Sequence, residues 1–303
     1  MMATRPADPA IRLAFISDGV NVWPFHVAQA KGFFEAEGIA VEMTLTGSSA
    51  KQLDELVKGG FDIGLQQSDH VVRAVERGSD LFVLMSFANA PAMRLMVAPE
   101  IGSFADLRGK VIAVDGARTG YAVLLRKLLS DNGLQDGDCT FTEFGGSIER
   151  VNALKRGAAV ASFLNPPFDG GLLADGFSSL GTTSEFFPGY PGSTVAARRS
   201  WAQRNEQRLI SFVRAYNAGY AWLKDTENRE EAIRILSARV KTDANTARLA
   251  YEQLVERPTP AITPEGMRQV IDIVWASERY SGPKGAPEKY MDLSYWNKAR
   301  QAR

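Results

Sequence analysis

Residues Val41–Leu65 read VEMTLTGSSAKQLDELVKGGFDIGL, and a related stretch, CTFTEFGGSIERVNALKRGAAVASF, fills Cys139–Phe163. Aligned without a gap, Thr44 meets Thr142, Gly47 meets Gly145, Ser49 meets Ser147, Leu56 meets Leu154 and Gly59 meets Gly157, with Lys58 against Arg156. Most identities fall on punctuation, namely the loop glycine, the helix-starting serine and the stop glycine, where backbone geometry selects the residue type. Each copy reads as an alternating strand, a Gly/Ser loop, an amphipathic helix and a short apolar strand. One β-α-β unit used twice predicts two similar α/β lobes facing a shared cleft. Their sheets are mainly parallel, and ligands bind such sheets at the C-terminal strand ends.

Outward from this stretch, Arg12–Ser17 reads as a strand, 18–23 as a loop, and Pro24–Glu37 as a helix stopped by Gly38. Ser49 and Gln52 have capping-box spacing, which starts the next helix at Ser49 and leaves Ser48 free in the loop. Phe61–Leu65 is a strand, Gln66-Gln67-Ser68 a loop and Asp69–Arg77 a helix; strands follow at Leu81–Phe87 and Met93–Ala98. Lys110–Asp115 opens the second copy, which ends at the strand terminator Asn165-Pro166-Pro167. Beyond Ser200 the pattern is helical only, with helices near 229–239, 243–256 and 264–280, a break at Pro258 and Pro260, and packing expected around the first lobe. These boundaries place one lobe at 1–98 plus 195–303 and the other at 99–194, with hinge crossings near 98–104 and 186–194.

The 303 residues suffice for two cores of ordinary size. Lysine plus arginine and aspartate plus glutamate both total 35, a balance that disfavours nucleic acid or an anionic membrane as the main partner. One cysteine, Cys139, and two histidines, His26 and His70, exclude a disulfide framework and argue against a zinc site. No metal or cofactor is expected. The opening MMATRPADPA lacks an apolar leader, so the chain is either cytoplasmic or an exported protein shown without its leader.

Candidate ligand contacts cluster in loops that close strands. Asp115-Gly116-Ala117-Arg118-Thr119-Gly120-Tyr121 opens a helix whose N–H groups suit an anionic or carbonyl group, although ordinary turn chemistry explains the glycines equally well. Arg118 has the fork to pair with a carboxylate or sulfonate. Ser48 and Ser49, Gln66, Gln67 and Ser68, and Gly146 and Asn165 occupy corresponding loops of the two copies. Asp18, Asn21, Trp23 and His26 lie at the first strand-to-helix turn, where Trp23 either stacks on a planar ligand or packs in the core. His26 is a hydrogen-bonding or acid/base candidate, His70 is expected on a helix surface, and Tyr190 either closes over the ligand or braces the hinge. No nucleophile elbow, phosphate loop, paired metal histidines or dinucleotide fingerprint occurs.

HVAQAKGFFEAEGI (26–39), GGFDIGL (59–65), SFADLRGKVIAV (103–114), the NPPF turn (165–168) and YAWLKDTENREEA (220–232) together resemble the NMT1/THI5-like, nitrate/sulfonate/taurine-type solute-binding proteins of ABC transporters. The resemblance implies a periplasmic-binding-protein type II clamp. It further implies capture of a small planar or anionic solute (a sulfonate, aromatic carboxylate or pyrimidine), a membrane permease as partner, a monomer, and a periplasmic location. The family's turn is often Glu-Pro where this chain has Asn165, so a carboxylate is missing there. Enzymes on the same fold leave a rival open. It is a cytoplasmic lyase or decarboxylase using His26 with Asp18 or Arg118, or a pyrimidine synthase, although the synthase's cysteine-rich motif is absent. A ligand sensor without a transporter is a third reading.

Overall fold

The computed structural model describes residues 9–88, 93–256 and 261–301. The chain begins β1 (Ile11–Phe15), α1 (Trp23–Ala30), α2 (Phe33–Ala36), β2 (Val41–Leu45), α3 (Ser49–Lys58), β3 (Ile63–Gln67), α4 (Ser68–Glu76) and β4 (Leu81–Ala88). It continues β5 (Arg94–Val97), β6 (Val111–Val114), α5 (Gly120–Asp131), β7 (Thr140–Glu143), α6 (Ser147–Lys155), β8 (Ala161–Leu164), α7 (Phe168–Ala174), β9 (Ser178–Thr182) and α8 (Thr183–Phe186). The last part is β10 (Ser193–Arg198), α9 (Arg199–Arg204), α10 (Glu206–Lys224), α11 (Arg229–Val240), α12 (Ala244–Glu256), α13 (Pro264–Glu278) and α14 (Ser294–Arg300).

Two five-stranded sheets result, ordered β2-β1-β3-β10-β4 and β7-β6-β8-β5-β9. In each, the first three strands pair in parallel and the fourth runs antiparallel to both neighbours. The sequence repeat is thus a structural one. Thr44 pairs with Ala14 in the first sheet as Thr142 pairs with Ala113 in the second.

Several boundaries differ from those the sequence predicts. Residues 94–97 pair with β8 and β9, so they belong to the second sheet, and the outward crossing lies before residue 94 rather than near 98–104. The punctuation at 102–106 is instead a capping box, in which Ser103 and Asp106 start a short turn inside the second lobe. Gly32, with φ of +71°, divides the expected first helix into α1 and α2. The cap of α3 is Ser48, whose hydroxyl accepts from Lys51 N at 3.3 Å, while Gln52 turns inward. Gln66 and Gln67 end β3 rather than forming a loop, and Ser68 already belongs to α4. Pro258 and Pro260 lie outside the described residues.

Packing follows the apolar periodicity. Leu209, Phe212, Val213 and Tyr216 of α10 join the core of the first sheet, where Phe25 stacks on Phe212 and Phe34 does the same. Each such side chain removed from water contributes about 1.5–3 kcal/mol. The C-terminal helices do not all stay with the first lobe. Met267, Val270, Ile271 and Val274 of α13 share one core with Val71 and Val72 of α4 and with Leu124, Leu125 and Leu128 of α5, so α13 joins both lobes. On another side α12 meets α7. Among the described residues no helix is long and apolar enough to cross a membrane.

Candidate functional site

The C-terminal strand ends of both sheets face one cavity of about 540 Å³, within the range of small-ligand sites. The first lobe contributes the β1–α1 loop (Ser17, Asp18, Gly19, Asn21), the start of α3 (Ser48, Ser49), the end of β3 (Gln66, Gln67) and His70 and Arg73 of α4. The second contributes Asp115, Arg118, Thr119 and Tyr121 around the start of α5, Gly146, Ser147 and Arg150 around the start of α6, and Asn165 after β8. Equivalent connections of the repeat therefore oppose each other, which brings helix starts from both sides, with their unpaired N–H groups, to one space.

Two polar atoms in this wall, Asn21 Oδ1 and Gln66 Nε2, are buried without a hydrogen-bond partner. Such atoms are costly unless a guest satisfies them. Among the described residues no group of side chains could hold a metal ion.

The lobes also touch directly. Val20 N donates to Pro166 O at 3.3 Å, and Gly120 N donates to His70 Nε2 at 3.3 Å. A Cβ on Gly19, whose φ is +148°, would sit 2.5 Å from Asn165 Nδ2, so only glycine permits this approach without strain. At the mouth, Glu278 of α13 receives Arg73 at 2.9 Å and both Arg77 and Arg118 at 3.6 Å. Arg118 is 83% exposed there, so its pairing across the mouth is weak.

Five predicted site residues do not line the cavity. Trp23 is fully buried and meets Tyr251 edge to face, and Tyr190 is likewise core. Ser68 is buried in α4 behind the wall. Gly120 serves as a contact between the lobes, where a Cβ would lie 2.0 Å from Asp69 Oδ1. His26 stands behind Asp18, with Nε2 2.7 Å from Asp18 Oδ1, and orients that carboxylate.

His70, Ser147 and Arg150 are the residues that sequence reasoning missed. His70 is 5% exposed rather than on a surface. Its Nε2 accepts from Gly120, so Nδ1 carries the proton and donates to Gln66 Oε1 at 2.8 Å. Burial lowers its pKa, with Asp69 opposing that shift. Loss of hydration pushes the Tyr121 phenol up to about 12, leaving it a neutral hydrogen-bonding group. The available signal for Ser147 was its match to Ser49.

Comparison with known proteins agrees with this architecture. The chain is 28% identical over 153 residues to 4-amino-5-hydroxymethyl-2-methylpyrimidine phosphate synthase of Schizosaccharomyces pombe, covering 49% of this chain and 40% of that protein. It thus spans less than half of this relative's length. Its fold superposes on the ligand-binding component of an ABC-type import system from Staphylococcus aureus with a TM-score of 0.81 at 13% identity, covering 97% of this chain and 100% of that one. The periplasmic aliphatic sulphonate binding protein SsuA of Escherichia coli superposes with a TM-score of 0.74 at 19% identity, covering 93% and 92%. Residues 20–230 match the family model described as NMT1/THI5 like. A doubled β-α-β clamp with this match over more than half its length belongs to the NMT1/THI5-like family and has the periplasmic-binding-protein fold.

Proposed function

We propose that the protein is the substrate-binding component of an ABC importer. It captures a small planar or anionic organic solute (a sulfonate, aromatic carboxylate or pyrimidine-like compound) between its lobes and presents it to a membrane permease from the periplasm. The observation that carries this reading is a polar cavity whose walls come about equally from two lobes, with partnerless buried groups facing inward. Closing such a clamp on a ligand gives the permease a state that differs from the empty one. Calorimetric titration with sulfonates, aromatic carboxylates and pyrimidines tests it. At 100 times Kd, a true ligand adds about 2.7 kcal/mol to unfolding stability. A well-folded sample with no heat and no thermal shift across the panel rejects the reading for those classes.

An enzyme on the same clamp is the second reading, supported by the pyrimidine phosphate synthase relative and by the Asp18–His26 pair at the cavity edge. In that arrangement Asp18 faces the substrate and His26 stands behind it. Incubating the protein with each binder and following it by NMR separates the two: unchanged ligand after many hours supports the receptor, and a new product supports the enzyme.

A further inference from the structure

Two arginines in the wall of the cavity are almost fully buried, Arg73 and Arg150, and they are compensated differently. Arg73 holds Asp69 at 2.5 Å and Glu278 at 2.9 Å. Arg150, 5% exposed, has no carboxylate oxygen within 4.0 Å among the described residues. Its partners are neutral: Nε donates to Gly146 O at 3.3 Å, Nη1 to Phe163 O and to Ser162 Oγ, and Nη2 to Ser147 Oγ at 3.3 Å. A guanidinium has five N–H groups, so these four bonds leave one, on Nη2. A cation stripped of water and given only neutral acceptors remains an uncompensated charge, and proteins rarely leave one so.

The surrounding hydrogen bonds fix a direction. Ser147 Oγ accepts from Arg150 and donates to Asn165 Oδ1 at 3.1 Å; Asn165 Nδ2 then donates to Pro166 O at 3.1 Å. Pro166 O is also the acceptor for Val20 N of the other lobe. The charge is thus tied by three links to a contact that joins the lobes. Nearby carboxylates already have donors: Asp115 accepts from Thr119 Oγ1 at 2.6 Å, and Glu143 accepts from Ala117 N at 2.6 Å. Asp115 is nonetheless close enough to act on Arg150 electrostatically.

We propose that Arg150 anchors the ligand's anionic group, a single-charged carboxylate or sulfonate, through its free N–H, and that Asp115 excludes doubly charged groups such as phosphate monoesters. This rests on the solute-binding reading and adds the charge of the solute to it. One negative charge neutralises Arg150; a second would sit against Asp115 without a partner.

The test titrates wild type, Arg150→Gln, Arg150→Lys and Asp115→Asn with matched sets: an aromatic carboxylate, its sulfonate, its neutral amide and its phosphate monoester. Wild type is expected to prefer a monoanion over the amide by about 10- to 100-fold. Comparing the carboxylate and sulfonate arms tells which group the site takes. Arg150→Gln should abolish that preference and Arg150→Lys should retain part of it. Asp115→Asn should tighten the monoanion and admit the phosphate, a result that does not depend on Arg150→Gln folding.

Equal affinity of wild type for anion and amide, or a preference that survives Arg150→Gln, overturns the proposal. Crystals soaked in bromide provide a probe independent of the organic panel. An anomalous peak beside Arg150 supports the anchor even if every panel compound fails, which would then count against the choice of solutes alone. A wild-type site without bromide overturns the anchor even if some neutral solute binds.

Discussion

Gln52 Nε2 donates to Ala14 O at 3.1 Å and to Leu65 O at 3.0 Å, while its Oε1 accepts from Thr46 Oγ1 at 3.2 Å. One buried amide therefore ties two strands and a cavity loop together, and Gln52→Ala leaves two carbonyls without it. We expect a loss of about 1–3 kcal/mol, read from urea denaturation midpoints at unchanged slope. The same residue shows what sequence alone conveys. The Ser49/Gln52 spacing correctly announces a helix start, but a glutamine three residues after a serine serves equally as an inward hydrogen-bonding side chain, and only the neighbouring strands decide. His70 and Arg150 were hidden for a related reason. Both lie on helices whose polar residues suit a solvated face, and their burial comes from the opposing lobe and strand, which the local pattern does not contain. Asp18, Ser49, Gln66 and Asn165 were legible because strand order alone places their loops at the cleft.

Between elements, the start of α5 meets α4 through the Gly120–His70 hydrogen bond. That bond requires an unprotonated Nε2. Burial lowers the His70 pKa in this joined form, whereas an exposed imidazole in a parted form has its ordinary value of about 6.5. The joined form thus binds fewer protons, and its stability is fully present above about pH 6.5 and lost as pH falls below that value. Asp69, 4.0 Å from Nε2, together with Arg73 and Asp115, limits the size of the effect without reversing it. For whichever solute binds, we expect affinity to fall by up to about tenfold between pH 6.5 and 5.5. His70→Asn should bind more weakly at pH 7.5 but with a flatter profile over that interval. A slope unchanged by the substitution assigns the titration to another group, such as the Asp18–His26 pair.

For the whole molecule, the two halves were readable from the repeat, and the return crossing from its proline- and glycine-rich stretch. The role of α13 was not, since a helix that serves two lobes has the same amphipathic pattern as one that serves one. The lobes meet at Gly120 without room for a methyl group, because a Cβ would lie 2.0 Å from Asp69 Oδ1 and 2.1 Å from Gln67 Oε1. Gly120→Ala adds to the helix propensity of α5, so its damage should appear in lobe approach and not in folding. We expect an unchanged circular dichroism spectrum, a larger radius of gyration by small-angle scattering with ligand present, and affinity lowered by at least about tenfold.

The exchanged strands impose an order of assembly. β10, which sits between β3 and β4, ends at Arg198 of 303 residues. While the chain emerges from the ribosome, the N-terminal sheet has an empty slot until about two-thirds of the protein has been synthesised. Fragments cut short before that point would present unpaired strand edges and stick to one another.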